Sequence, residues 1–252
     1  MNDSKLIKPD AWEFLKTHTD ARIALGSVGT AMPLAEVLAF KMAHAHARDA
    51  VYSELNESAL IDDLATFDLP IYTLQSQVNN RHTYLQRPDW GRKLSEASKK
   101  ELAQAKGNAD IAFIMADGLS ATAINKHAFL LLKILIPLLQ QAGFSIAPLS
   151  IVRQGRVAIG DDIGETLQAK CSVVLIGERP GLSSPDSMGA YLTYQPKVGL
   201  TDESRNCVSN IRSEGLSYQT AAEKIFYLIQ ESFRLQYSGV SLKDNTDSGL
   251  LT

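Results

Sequence analysis

The chain has 252 residues, 45% of them hydrophobic, with 25 basic against 28 acidic side chains and a formal net charge of −3. That composition can bury the core of one large domain, or of one domain with a helical appendage. Balanced charge without blocks of one sign argues against nucleic acid or an anionic membrane as the main partner, because both reward clustered Lys and Arg.

The first half reads as helical. From Met32 to Ser53, residues Leu34, Val37, Leu38, Met42 and Ala45 recur at helical spacing behind Pro33, which suits a first turn. A linker follows around Phe67–Pro70. Residues 71–92 are polar and aromatic, with short extended pieces at most. Trp90 to Lys106 is charged on most of its surface and predicts an exposed helix. The second half changes character. Ile111–Ala116 is a short apolar run ending in Asp117-Gly118-Leu119-Ser120, and a long helix is predicted from Ser120 to Gln141. An extended piece over Ser145–Val152, a short helix near Ile163–Ala169, a strand over Ser172–Ile176 and a weaker one over Ala190–Tyr194 follow. The last helix is predicted from Thr220, with Glu223 completing a capping box. Short apolar runs alternating with helices indicate a parallel sheet covered on both faces. The fold class expected is therefore α/β: a Rossmann-like, mostly parallel sheet flanked by helices. A helical N-terminal region over residues 1–106 precedes that domain, which spans 107–242, and a flexible tail occupies 243–252.

The apolar segment Ala128–Leu139 is too short to span a bilayer and carries Lys133 and Pro137. Two cysteines, Cys171 and Cys207, and a start without an apolar signal region predict a reducing, cytoplasmic setting.

In an open parallel sheet, ligands sit beyond the carboxyl ends of the strands. Three turns are candidates on that rule: Asp117-Gly-Leu-Ser, Gln154-Gly-Arg-Val and Gly177-Glu-Arg-Pro-Gly. Each also reads as an ordinary tight turn. No dinucleotide fingerprint, phosphate-binding loop or nucleophile elbow occurs. His44 and His46, two apart, do not share a helix face, so they read as surface, and His82 and His127 each stand alone. Asp161, Asp162 and Glu165 are a candidate acid/base group but fit a helix start better. Cys207 has no His partner and suits lining a site more than attacking a substrate. One reading of these turns alone is a stand-alone α/β enzyme with an anion site at Asp117 and Ser120.

The ordered series is more specific than its parts. Gly155-Arg-Val157, Gly164-Glu165, Ile176-Gly-Glu-Arg-Pro-Gly-Leu182 and Arg205-Asn-Cys207-Val-Ser-Asn-Ile211 resemble the small subunit of bacterial ethanolamine ammonia-lyase. The resemblance extends upstream through Tyr84-Leu-Gln-Arg-Pro-Asp-Trp-Gly-Arg92 and Asp117-Gly-Leu-Ser-Ala-Thr-Ala123, and covers about Ala21 to Ser241. It implies a subunit without catalytic residues of its own, which helps to bind adenosylcobalamin at the interface with a large subunit. The complex converts ethanolamine to acetaldehyde and ammonia by radical chemistry. The resemblance places cofactor contacts on Val157, Glu178 and Cys207. It also implies base-on binding, in keeping with the lack of an Asp-x-His-x-x-Gly segment, and a cytoplasmic location that includes the interior of a bacterial microcompartment. One departure lies near the start: Ser27, in Gly26-Ser-Val-Gly29, stands where relatives often carry arginine.

Overall fold

A computed structural model describes residues 6–244. Before the first long helix, residues 6–33 hold a short 3-10 turn and isolated bridges, among them Lys8 to Ser27, which exchange backbone hydrogen bonds of 2.7 and 3.0 Å. Helix α1 (Leu34–Val51) begins behind Pro33 as expected, but buries only Ala43 and Ala50. Leu34, Leu38 and Met42, one turn apart, are exposed. Helix α2 (Glu57–Leu64) is capped by the Asn56 side chain, which accepts from the Ala59 amide.

Residues 71–92, predicted to hold short extended pieces at most, form strand β1 (Ile71–Gln75) and helix α3 (Arg81–Gln86). The sheet thus takes its edge strand from within the stretch expected to be a helical N-terminal region. Helix α4 (Glu96–Leu102) is shorter than the predicted span, with 3-10 turns at 90–92 and 103–105. It is also less exposed than its charge suggested, since Ser98 and Leu102 are buried. Strand β2 (Ile111–Ala116) is buried throughout and leads to α5 (Ala121–Gln141). Then come β3 (Leu149–Arg153), α6 (Ile159–Leu167), β4 (Cys171–Gly177), β5 (Met188–Tyr194), β6 (Arg205–Ile211) and α7 (Tyr218–Leu235). The expected tail over 243–252 lies, from residue 245, outside the described residues.

The six strands make one mixed sheet in the order β1-β3-β2-β4-β5-β6. The first four run parallel, and β5 and β6 are antiparallel additions. Strand β6 went unpredicted because its residues, RNCVSNI, lack an apolar run: of its seven residues only Arg205, Val208 and Ile211 are buried. Helices α2, α5 and α7 pack one face of the sheet around Phe113, Met115, Leu131, Leu135 and Ile229. Helices α4 and α6 pack the other around Ile114, Val152, Ile159 and Ile163.

Helix α5 is long and apolar enough to cross a membrane by length and composition, because residues on both sides of the 128–139 run join it. Its burial explains that apolarity: Ile124, Leu131, Leu132, Leu135 and Leu139 lie fully within the core against the sheet and α7. The cap of helix α7 lies three residues before the predicted one at Thr220. It is Ser217, whose Oγ accepts from the Thr220 amide at 3.2 Å. Ser217→Ala is expected to cost about 1 kcal/mol, the usual worth of such a cap, read as a lower urea midpoint at unchanged slope.

Candidate functional site

The chain leaves β2 toward the α5 face and β3 toward the α6 face, so the carboxyl ends of these neighbouring strands open a crevice. Asp117, the first residue after β2, fills it. Its carboxylate accepts from the Gln154 amide at 2.9 Å and the Gly155 amide at 3.1 Å. Burial pushes this carboxyl up to about 6, against the pull of those amides and of Arg81. Ser120 has its hydroxyl on the Pro185 carbonyl at 2.9 Å. An anion at this turn would meet the Asp117 charge, and the geometry gives the stand-alone anion-site reading no support.

The glycines here serve close backbone packing. Gly118 has φ +59°, and a Cβ on it would press into the Gly177 carbonyl. A Cβ on Gly177 would in turn fall on the Ser120 carbonyl. The two turns after β2 and β4 are thus fitted to one another, so these glycines do not open the backbone to a ligand.

The Tyr84–Arg92 stretch clamps the loop after β3. The Tyr84 hydroxyl donates to the Gly155 carbonyl at 2.9 Å, and the Arg156 amide donates to the Gly91 carbonyl at 2.7 Å. The Arg156 guanidinium lies 4.1 Å from the Tyr84 ring centroid and donates to the Tyr84 carbonyl at 3.0 Å. Arg81 covers the same ring at 4.7 Å. The sequence motif was visible, but its role as a clamp needed the fold.

Val157, Glu178 and Cys207 meet along one groove on the α6 side of the sheet. A hollow of about 400 Å³ is lined by Val157, Gly177, Glu178 and Tyr191. A second, of about 360 Å³, is lined by Val157, Tyr191, Arg205 and Cys207. The two share Arg156, Val157 and Tyr191. The groove exists because β5 and β6 extend past the helices that cover the parallel strands on this side.

Glu178 follows β4, but the turn it opens leads into an antiparallel hairpin instead of a helix. Its amide donates to the Ser187 carbonyl at 2.9 Å, and its carboxylate accepts from the Ser187 hydroxyl and from the Asn210 amide, the latter at 3.3 Å. The Asn210 bond arises from a bulge. Met188 faces Ile211 and Ala190 faces Val208, so Gly189 alone opposes Ser209 and Asn210. Asn210 takes φ +59°, and a Cβ on Gly189 would come within 2.9 Å of Glu178 Oε1. Carboxylate oxygens each accept more than one bond, so Glu178 keeps acceptor capacity toward the groove.

Cys207 sits in mid-strand β6, is exposed, and lies opposite Tyr191. Although part of its surface is open, the protein packed around the sulfur pushes the thiol up, so it stays protonated at neutral pH and serves as lining. Tyr191 carries no sequence motif, and its place beside Cys207 follows from strand register alone.

The acidic trio is structural. Asp161 pairs with Arg205 at 2.6 and 2.8 Å, and both side chains are 3% exposed. Asp162 pairs with Lys99 at 2.6 Å and accepts from the Leu94 amide, while Glu165 accepts from the Val198 amide. His44 and His46 are exposed, and His127 is buried, with Nδ1 on the Tyr218 hydroxyl at 2.8 Å. Among the described residues, no cluster of three or more His, Cys, Asp or Glu could hold a metal ion.

The family model described as ethanolamine ammonia-lyase light chain (EutC) matches residues 9–243, across all three residues of the groove. The chain belongs to the ethanolamine ammonia-lyase light chain family. It is 52% identical over 246 residues to the ethanolamine ammonia-lyase small subunit of Xanthomonas campestris, covering 96% of this chain and 90% of the relative. To the small subunit of Azotobacter vinelandii it is 50% identical over 251 residues, covering 98% and 93%. The Pseudomonas putida small subunit is 48% identical over 250 residues, covering 97% and 92%. Within this light chain, Ser27 joins the Lys8 bridge through its backbone, a contact that does not depend on its side chain.

Proposed function

We propose that this chain acts as the small subunit of ethanolamine ammonia-lyase, and that its groove receives one side of base-on adenosylcobalamin against a large subunit. The observation that carries this is the meeting of Val157, Glu178 and Cys207, far apart in sequence, along one open groove. On this reading the parallel half of the sheet, with α5 and α6 on opposite faces, is a Rossmann-like frame for that groove.

The lining fits the group. A corrin ring carries amide side chains around an apolar rim. Glu178 offers oxygens to amide N–H groups, Val157 and Tyr191 offer apolar area, and Cys207 offers a small, soft surface. The cofactor, when bound, supplies the radical that converts ethanolamine to acetaldehyde and ammonia in the complex. This chain's own residues bind, orient and exclude water. The exposed Leu34, Leu38 and Met42 on α1 support a subunit role, since a solitary soluble domain rarely leaves such a stripe uncovered. Two free thiols accord with a reducing cytoplasm or a bacterial microcompartment within it.

Glu178→Ala is expected to weaken adenosylcobalamin binding by the assembled complex by about ten- to a hundredfold, the loss of a charge-assisted hydrogen bond worth about 1.5–3 kcal/mol. A cofactor titration unchanged from the unmodified complex would count against the site. Full lyase activity from a large subunit without this chain would overturn the reading altogether.

A further inference from the structure

We infer that Asp117 is a positioning residue for the cofactor: its carboxylate, set in the crevice between β2 and β3, fixes where Arg156 and Val157 stand in the groove. The inference rests on the proposed cofactor reading and goes beyond it, because Asp117 itself lies beneath the loop.

The loop is held peptide by peptide. Asp117 accepts from the amides of Gln154 and Gly155, the two residues before Arg156-Val157. Tyr84 donates to the Gly155 carbonyl, and Gly91 accepts from the Arg156 amide. Gln154 takes φ +55°, a left-handed conformation that a residue with a side chain adopts at a cost. A Cβ on Gly155 would stand 3.0 Å from Ala116 Cβ, so the loop is seated hard on the end of β2. Both Asp117 amide bonds are charge-assisted, which makes them the strongest of these tethers and the ones that offset the strain at Gln154.

The lock is sensitive to protonation. The charged or titratable groups facing Asp117 are Arg81 and Tyr84 from α3 and Arg153 from the end of β3. Arg81 is itself engaged with the Val51 and Gly118 carbonyls, and burial lowers its pKa. Since the Asp117 carboxyl titrates at about 6, it is ionised at neutral pH and accepts both amides. Burial by itself favours the neutral carboxyl, but the two amides favour the charged one; protonation leaves one oxygen a hydroxyl that accepts its amide only weakly, so these tethers slacken as the pH falls through that value.

The test uses the assembled complex and cyanocobalamin as the probe, with the dissociation constant read from the corrinoid difference spectrum from about pH 5 to about pH 8. In the unmodified complex the constant should be flat above about pH 7 and rise about tenfold as the pH falls through the Asp117 titration, the scale of one lost charge-assisted bond. Asp117→Asn should bind at the weak level across the whole range without that pH step, and the amides of Gln154 and Gly155 should exchange hydrogen faster. Binding by assembled Asp117→Asn that matches the unmodified complex overturns the inference. So does a flat profile in the unmodified complex, which decides the matter even if the variant does not assemble. Glu178→Ala separates the two levels. Weaker binding there with no effect at Asp117 removes only the positioning role, whereas no effect at either removes the cofactor site and this inference with it.

Discussion

Asp161→Ala is expected to destabilise the chain by about 3–5 kcal/mol, because it leaves the Arg205 guanidinium charged and without its partner in a buried place. The pair joins the first turn of α6 to the start of β6, with both side chains 3% exposed. Arg205 Nη1 also donates to Thr193 Oγ1 at 3.2 Å and Nη2 to the Leu200 carbonyl at 3.2 Å, and Nε lies 3.5 Å from the exposed Asp202 carboxylate, a longer and solvent-screened contact that does not replace Asp161. Removing both charges should be far milder: Asp161→Leu with Arg205→Met, of similar volume, is expected to recover most of the loss. Urea unfolding of the three proteins checks this. A single variant as stable as the original, or a double variant no better than the single one, would refute the account of the pair. Arg205 lines the groove two residues from Cys207, so the double variant also asks whether that charge matters to the ligand.

Gly177→Ala is the second. Its Cβ would fall on the Ser120 carbonyl, 2.6 Å from the Ser120 carbon and 2.7 Å from the Asp117 carbonyl oxygen. All three are backbone atoms, so no side chain can turn aside. Either β4 or the β2–α5 turn must shift, at a cost of roughly 1–3 kcal/mol or somewhat more, the range for overpacked interiors. Glu178 is the next residue and moves with the strand. Stability and cofactor affinity should therefore fall together, whereas Glu178→Ala, which takes from the fold only the carboxylate's bonds to Ser187 and Asn210, should lower affinity with a smaller loss of stability. Full retention of both in Gly177→Ala would mean that the turns are looser than their packing implies.

The sequence determined the strands whose burial is complete, because complete burial demands an unbroken apolar run. Ile111–Ala116 and the strand ending at Gly177 follow from that requirement, and the half-buried long helix behind Ser120 follows from its apolar segment. The ordered series of motifs, and not the chemistry of any one of them, pointed to Val157, Glu178 and Cys207. Strand β6 and the Ser217 cap were not legible in the sequence, and β1 showed only as a short extended piece, since partly covered edge strands and single capping hydroxyls leave little periodic signal. Only the tertiary structure decided how the motifs serve the site. Whether a glycine clears space for a ligand or for another backbone depends on what lies opposite. Gly118 and Gly177 turned out to face each other's turns. Whether a carboxylate binds a ligand or holds a loop depends on which amides reach it. Asp117 met those of Gln154 and Gly155, 37 and 38 residues further along the chain, across the crevice between β2 and β3. Register alone set Tyr191 beside Cys207 and bulged Asn210 toward Glu178. These are contacts between distant segments, and local sequence carries no term for them.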